Sequence, residues 1–250
     1  MPTRAELKSN AKVAMRGRKP SVYLIALVYF LIVYVLDILD YKLMYPGLSI
    51  TEITYNLLEG TVMLQSSSFT SWVLQLAITI MNTMLSVGFT MVCLNISRGL
   101  AAGFGELFDA FGMFFKFLWL NILMGIYIGL WSCLFVIPGI VAAYRYRMAV
   151  YIMIDNPEFS ASECIRRSKE MMRGHKGELF VLDLSFIGWS LLTVIPFVSL
   201  YVTPYITTTE AFYYNALSGY IPQAEYTYPD TDEQNPSGGS SWSGRDPWDN

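Results

Sequence analysis

The chain has 250 residues, of which 54% are hydrophobic and only 15% charged, where an ordinary soluble domain carries roughly a quarter charged residues. Its 17 basic and 20 acidic side chains leave a formal charge of −3, and no nucleic-acid partner is expected of it. The stretches between charges approach the ~20 apolar residues that cross a bilayer, which excludes the needs of a soluble core as the reason for the apolar content.

The expected architecture is an all-α, polytopic membrane bundle of about six spans with amphipathic helices on its cytoplasmic surface. Residues 1–20 form a basic amphipathic arm, 21–218 the membrane domain and 219–250 an acidic tail. In the arm, Thr3 and Glu6 make a capping-box pattern. Leu7, Ala11 and Ala14 share one face of the helix that follows and Lys8, Lys12 and Arg16 another, as in a helix lying on the inner leaflet.

The first span is expected over 21–39, stopped by Asp37, Asp40 and the turn Tyr45-Pro46-Gly47. Val35, Leu36 and Asp37 offer no small-residue cleavage pattern, so this run reads as a span and not as a signal peptide. Residues 40–69 are polar and read as an external loop. A second span over 71–96 ends at Arg98. Phe104, Leu107, Phe108, Phe111, Phe114 and Phe115 then follow a helical stripe, an in-plane helix or the leading turn of the third span, 116–137.

Pro138-Gly139 closes that span, and a short fourth, 140–154, contains Arg145 and Arg147. In the following loop Ser160 and Glu163 cap a helix with Ala161, Cys164, Ile165, Ser168, Met171 and Met172 on one face and Gly174 at its end. Its bases, Arg166, Arg167 and Lys169, with Arg173, His175 and Lys176 beyond, are candidates for contact with anionic lipid headgroups. Each such charge contributes about 1 kcal/mol near an anionic leaflet. A fifth span over 179–200 is interrupted by Pro196, a sixth over 203–217 holds Pro204 and Glu210, and the Gly- and Ser-rich tail from Gly219 is expected to be disordered.

Lysines and arginines are retained on the cytoplasmic side, which places both termini inside and leaves Lys42 as the one external base. Trp131 followed by Val136-Ile137-Pro138 recurs 58 residues later as Trp189 followed by Val194-Ile195-Pro196, an echo of the duplicated hairpins found in transporters. Pro138, Pro196 and Pro204 are the candidate helix-turn prolines.

Cys93, Cys133 and Cys164 lack any metal-binding or disulfide spacing, His175 stands alone, and no nucleophile, phosphate-loop or paired-carboxylate motif is present. No metal, cofactor or enzymatic activity is therefore expected. Charges inside spans are different, because each costs at least ~2.5 kcal/mol unless paired or hydrated. Arg145, Arg147 and Glu210 qualify, with Asp183 nearer the inner surface, and similar depths point to a pair between Arg145 and Glu210.

Several segments together resemble a bacterial family of multi-pass membrane proteins known as domain of unknown function 975. They are Arg4-Ala5-Glu6-Leu7-Lys8, Leu107-Phe108-Asp109-Ala110-Phe111, Ile137-Pro138-Gly139, Asp155-Asn156-Pro157, Gly174-His175-Lys176, Ser185-Phe186-Ile187-Gly188-Trp189 and Phe212-Tyr213. The family is akin to the membrane module of some glycerophosphodiester phosphodiesterases. The resemblance implies a bacterial cytoplasmic-membrane protein with no assigned reaction, and it carries no phosphodiesterase chemistry because the catalytic domain is absent. Arg145 and Arg147 depart from the family pattern, which has Lys or Ala and Ser there.

Two functions compete on this reading. One is a non-enzymatic module contacting anionic lipids, a membrane-protein partner or a second copy of itself; the other is a small transporter with an intramembrane charged site. A polar cavity reaching the midplane around Arg145 and Glu210 favours transport, and a dry packed core beneath basic surface helices favours the module.

Overall fold

In the computed structural model, residues 2–16, 20–44, 69–193 and 196–220 are described, with isolated positions 47, 49, 51, 52, 54 and 56. All regular structure among them is helical. Tyr45, Pro46, Val194, Ile195 and the tail beyond Tyr220 lie outside the described residues.

Helix α1, Arg4–Met15, opens on the expected capping box: Glu6 N–H donates to Thr3 Oγ1 (3.3 Å) and Thr3 N–H to Glu6 Oε2 (2.7 Å). Its apolar face is not left for a leaflet. Leu7, Ala11, Ala14 and Met15 are buried against later helices of the chain, chiefly the last.

Helices α2, Val22–Met44, and α3, Phe69–Ser97, pack together through Tyr29 and Phe89, stacked at 4.8 Å. The core gathers on the second half of α3, where Met84, Leu85, Val92, Cys93, Leu94 and Ile96 are buried, while Phe69, Trp72 and Leu76 in its first turns are exposed. The phenylalanine stripe is divided. Leu107, in the short α4 (Glu106–Asp109), is buried against Gly88 of α3, a 3-10 turn follows, and Phe115 at the start of α5 (Phe114–Leu134) is 81% exposed.

Three stretches, Val22–Leu43, Phe69–Ser97 and Glu106–Leu134, are long and apolar enough to cross a membrane. Only 17% of the first window and 11% of the third is buried. Leu24, Leu27, Leu31 and Leu39 on α2 and Trp119, Ile122, Ile126 and Leu130 on α5 are exposed large apolar side chains, as on faces that contact lipid or another protein.

The other three expected spans are not single unbroken helices with the expected bounds. Phe135 turns the chain in a single extended residue, and α6, Val136–Tyr146, folds back along α5 with Tyr127 and Tyr146 at 5.9 Å. The stretch 140–154 is then two helices, because α6 stops at Tyr146 and α7 runs Ala149–Asp155. The stretch 179–200 is also divided, into α9 (Lys176–Leu184), α10 (Ile187–Leu192) and the start of α11 (Pro196–Ser218). Ser185 Oγ donates to Leu182 O (2.5 Å) where α9 ends, a side-chain bond that competes with the helix ladder. The short helix expected at 203–217 belongs to the 23-residue α11, which continues through Pro204.

Between α7 and α9 lies α8, Ala161–Met171, capped by Ser160 as expected, with Gly174 at φ +90° just beyond it. Its buried face, Ala161, Cys164, Ile165 and Ser168, packs on α5, α6 and α7.

A Cβ at Gly88 would overlap the Leu107 carbonyl, and one at Gly139 would overlap Ser132 in the last turn of α5. Both contacts are between backbone-anchored atoms. Gly88→Ala and Gly139→Ala should each lower stability by about 2 kcal/mol, read as a fall in the unfolding midpoint in detergent, while Gly125→Ala, with open space around it, should not.

Candidate functional site

The break between α6 and α7 falls at Arg147 and Met148, and it positions the charged side chains. One α6 carbonyl released by the break, Arg145 O, is taken up by Ser168 Oγ of α8 at 2.8 Å. Arg147 turns inward, where Nη2 donates to Glu210 Oε1 of α11 and Nη1 lies 3.6 Å from Asp183 Oδ2 of α9. Tyr144 OH, one turn back on α6, donates to the same Asp183 oxygen at 2.8 Å.

Glu210 therefore pairs with Arg147 and not with Arg145. On a continuous helix the two arginines stand on opposite faces, and the packing of α11 selects one of them. Arg145 forms no ion pair among the described residues, and its buried Nε has no hydrogen-bond partner there.

The Glu210 side chain is 11% exposed but that of Arg147 is 39% exposed, because the guanidinium faces a cavity of about 550 Å³ between α3, α5, α6, α7 and α11. Thr83, Ser86, Thr90, Asn121 and Thr207 supply polar groups to its wall, and Tyr146 and Tyr151 supply rings. Such a space with a few convergent polar groups is what a small-molecule site requires. Thr83, Ser86 and Thr90 are at i, i+3 and i+7 in the sequence, a polar stripe on α3 that the hydrophobicity of the span obscured.

A second polar cluster draws three helix ends together. Arg98, just past α3, makes a bidentate pair with Asp155 at the end of α7 (2.7 and 2.6 Å), and its Nε donates to Asn215 Oδ1 near the end of α11 (3.1 Å). Tyr214 OH donates to Asp155 (2.7 Å), and Asn215 Nδ2 to Ser97 Oγ (2.8 Å). Burial opposes the charge on Arg98, but the hydrogen bonds and charge of Asp155 outweigh it and raise the pKa above its ordinary value. Sequence reasoning used Arg98 only as a span terminator, and no local pattern links it to a residue 57 positions away.

The candidate lipid-facing bases lie apart from the cavity. Arg166, Arg167, Lys169 and Arg173 are exposed, yet Arg166 and Arg167 both bind Glu163 within α8. Their hydrogen bonds hold the Glu163 carboxyl down at about 2. His175 Nδ1 lies 3.0 Å from Glu178, and its carbonyl accepts from Tyr213 OH. Lys176 opens α9. Among the prolines, Pro138 is the third residue of α6, Pro196 the first of α11, and Pro204 lies within α11. No group of three or more metal-ligating side chains occurs among the described residues.

The chain belongs to the family described as protein of unknown function DUF975, whose profile matches residues 1–143 and 133–220. Searches of curated proteins and of solved structures returned no match. Nothing found links the chain to the glycerophosphodiester phosphodiesterases.

Two predictions follow from the pairs. Glu210→Gln and Arg147→Gln should each lower the unfolding midpoint in detergent and the double variant should recover part of the loss, since a lone buried charge costs more than none; equal midpoints across the cycle would contradict the pair. Asp155→Ala should cost about 3 kcal/mol, most of it shared with Arg98→Ala, and additive losses in the double variant would refute their coupling.

Proposed function

We propose that this protein is a bacterial cell-membrane protein that holds a small polar solute in the cavity beside Arg147 and Glu210, acting as a small permease and not as an enzyme. The observation that carries this reading is the open side of Arg147. A charge introduced at a helix break, paired on one side and facing on the other a cavity with several polar groups in a mostly apolar wall, costs stability unless the exposed side is used.

The proposed topology has six crossings with both termini cytoplasmic. In it α2, α3 and α4–α5 cross first, α6 and α7 together make the fourth crossing, α9 and α10 the fifth and α11 the sixth. The Arg98 cluster supports this, because it joins residues at or near the ends of α3, α7 and α11, the three segments that would finish on the same face. The abundance of bases near those ends supports assigning that face to the cytoplasm.

A second reading, a module contacting anionic lipids, a partner protein or another copy of the chain, draws on the exposed Lys169 and Arg173. It is the weaker one. The apolar faces of α1 and α8 are occupied by the protein itself, and Arg166 and Arg167 already have a carboxylate.

Cysteine accessibility tests the cavity. In a Cys133→Ser background, which removes the exposed native thiol, Ser86→Cys should react with a small charged methanethiosulfonate reagent in reconstituted vesicles. Leu31→Cys, on the exposed apolar face of α2, should not. A Ser86→Cys thiol as unreactive as that control would overturn the proposal.

A further inference from the structure

We infer that the solute is uncharged and amphipathic, with one polar group that both accepts and donates hydrogen bonds, as a carboxamide does; this rests on the cavity reading proposed above. The charged lining of the cavity is one cation and one anion, Arg147 and Glu210, already paired with each other. Neither Asp183 nor Arg145 is a lining residue. A cationic solute would have to meet the Arg147 guanidinium and an anionic one the Glu210 carboxylate. A net charge enclosed there finds no counter-charge that is not already taken, and leaving it uncompensated is costly.

Hydrogen bonding narrows the class further. A guanidinium carries five N–H donors, and that of Arg147 spends one on Glu210 while 39% of the side chain stays exposed. Charged N–H groups are therefore open at the α6–α7 break, and they require an oxygen acceptor from the solute. On α3 the sense is reversed. Thr83 Oγ1 donates to Thr79 O and Thr90 Oγ1 to Ser86 O, both at 2.8 Å, so each hydroxyl proton is committed to its own helix and oxygen lone pairs are what remain for a ligand.

A carboxamide meets both requirements, its C=O accepting from Arg147 and its N–H donating to a threonine. A ketone meets only the first and an amidinium only the second. Most of the wall is apolar, with Val87, Met124 and Ile128 among its side chains, so the body of the solute is apolar as well.

Four probes of equal size separate these features: propionamide, propionate, propionamidinium and butanone. Each is added to reconstituted vesicles holding the full chain with Cys133→Ser and Ser86→Cys, ahead of the methanethiosulfonate reagent, and the concentration that halves the labelling rate is read. Propionamide should slow labelling saturably. Propionate and propionamidinium should need about tenfold more or higher, and butanone about fivefold more. The charge comparison needs no further substitution. Adding Thr90→Val, which removes one acceptor at nearly constant shape, should weaken propionamide by about fivefold and leave butanone unchanged.

A preference for either ion would overturn the inference, as would butanone equal to propionamide or a Thr90→Val effect that is the same on both. Labelling that propionamide does not slow would also overturn it, while leaving the cavity as a site the reagent can enter. A Ser86→Cys thiol that resists labelling with no probe present would overturn the cavity reading and this inference with it.

Discussion

Two guanidiniums among the apolar helices, those of Arg98 and Arg147, meet carboxylates from distant helices, and these two pairs tie the arrangement of the helices together. Arg98 draws Asp155, Tyr214 and Asn215 to the end of α3, which aligns the ends of three helices that are far apart in sequence. Arg147 draws α9 and α11 against the break between α6 and α7. The second half of α3 carries many of the buried core residues, with Arg98 just past its end and the Arg147 cavity along Thr83 to Thr90.

The amphipathic helices show how one pattern serves two physical ends. Both α1 and α8 have the face expected of helices lying on a leaflet, and both cover protein instead. Lys8 illustrates the consequence: its amine donates to Ser185 O at 3.1 Å and lies over the Phe186 ring, and burial together with Arg4 and Lys12 lowers its pKa. An apolar stripe states that a face will be covered and leaves open by what, since lipid and side chains remove it from water equally well.

The cavity brings several of these features to one place. The polar part of its wall comes from residues that look ordinary singly, among them Thr83 and Thr90, whose hydroxyls bond back to their own helix. Only where α3 faces α5, α7 and α11 do those oxygens converge on a common space with Arg147 and Glu210.

Hydrophobic runs by themselves determined the helical class, the three long apolar helices near residues 22–43, 69–97 and 106–134, and the helix starts at Thr3 and Ser160. These are local properties, set by composition and by bonds three residues apart. The tertiary structure alone decided that 140–154 is broken, that 179–200 is shared among three helices, and that Glu210 pairs with Arg147 and not Arg145. The physical reason is that a charge selects its partner by distance in space. Two arginines two residues apart point to opposite sides of a helix, and only the packing of α9 and α11 brings carboxylates to one of those sides.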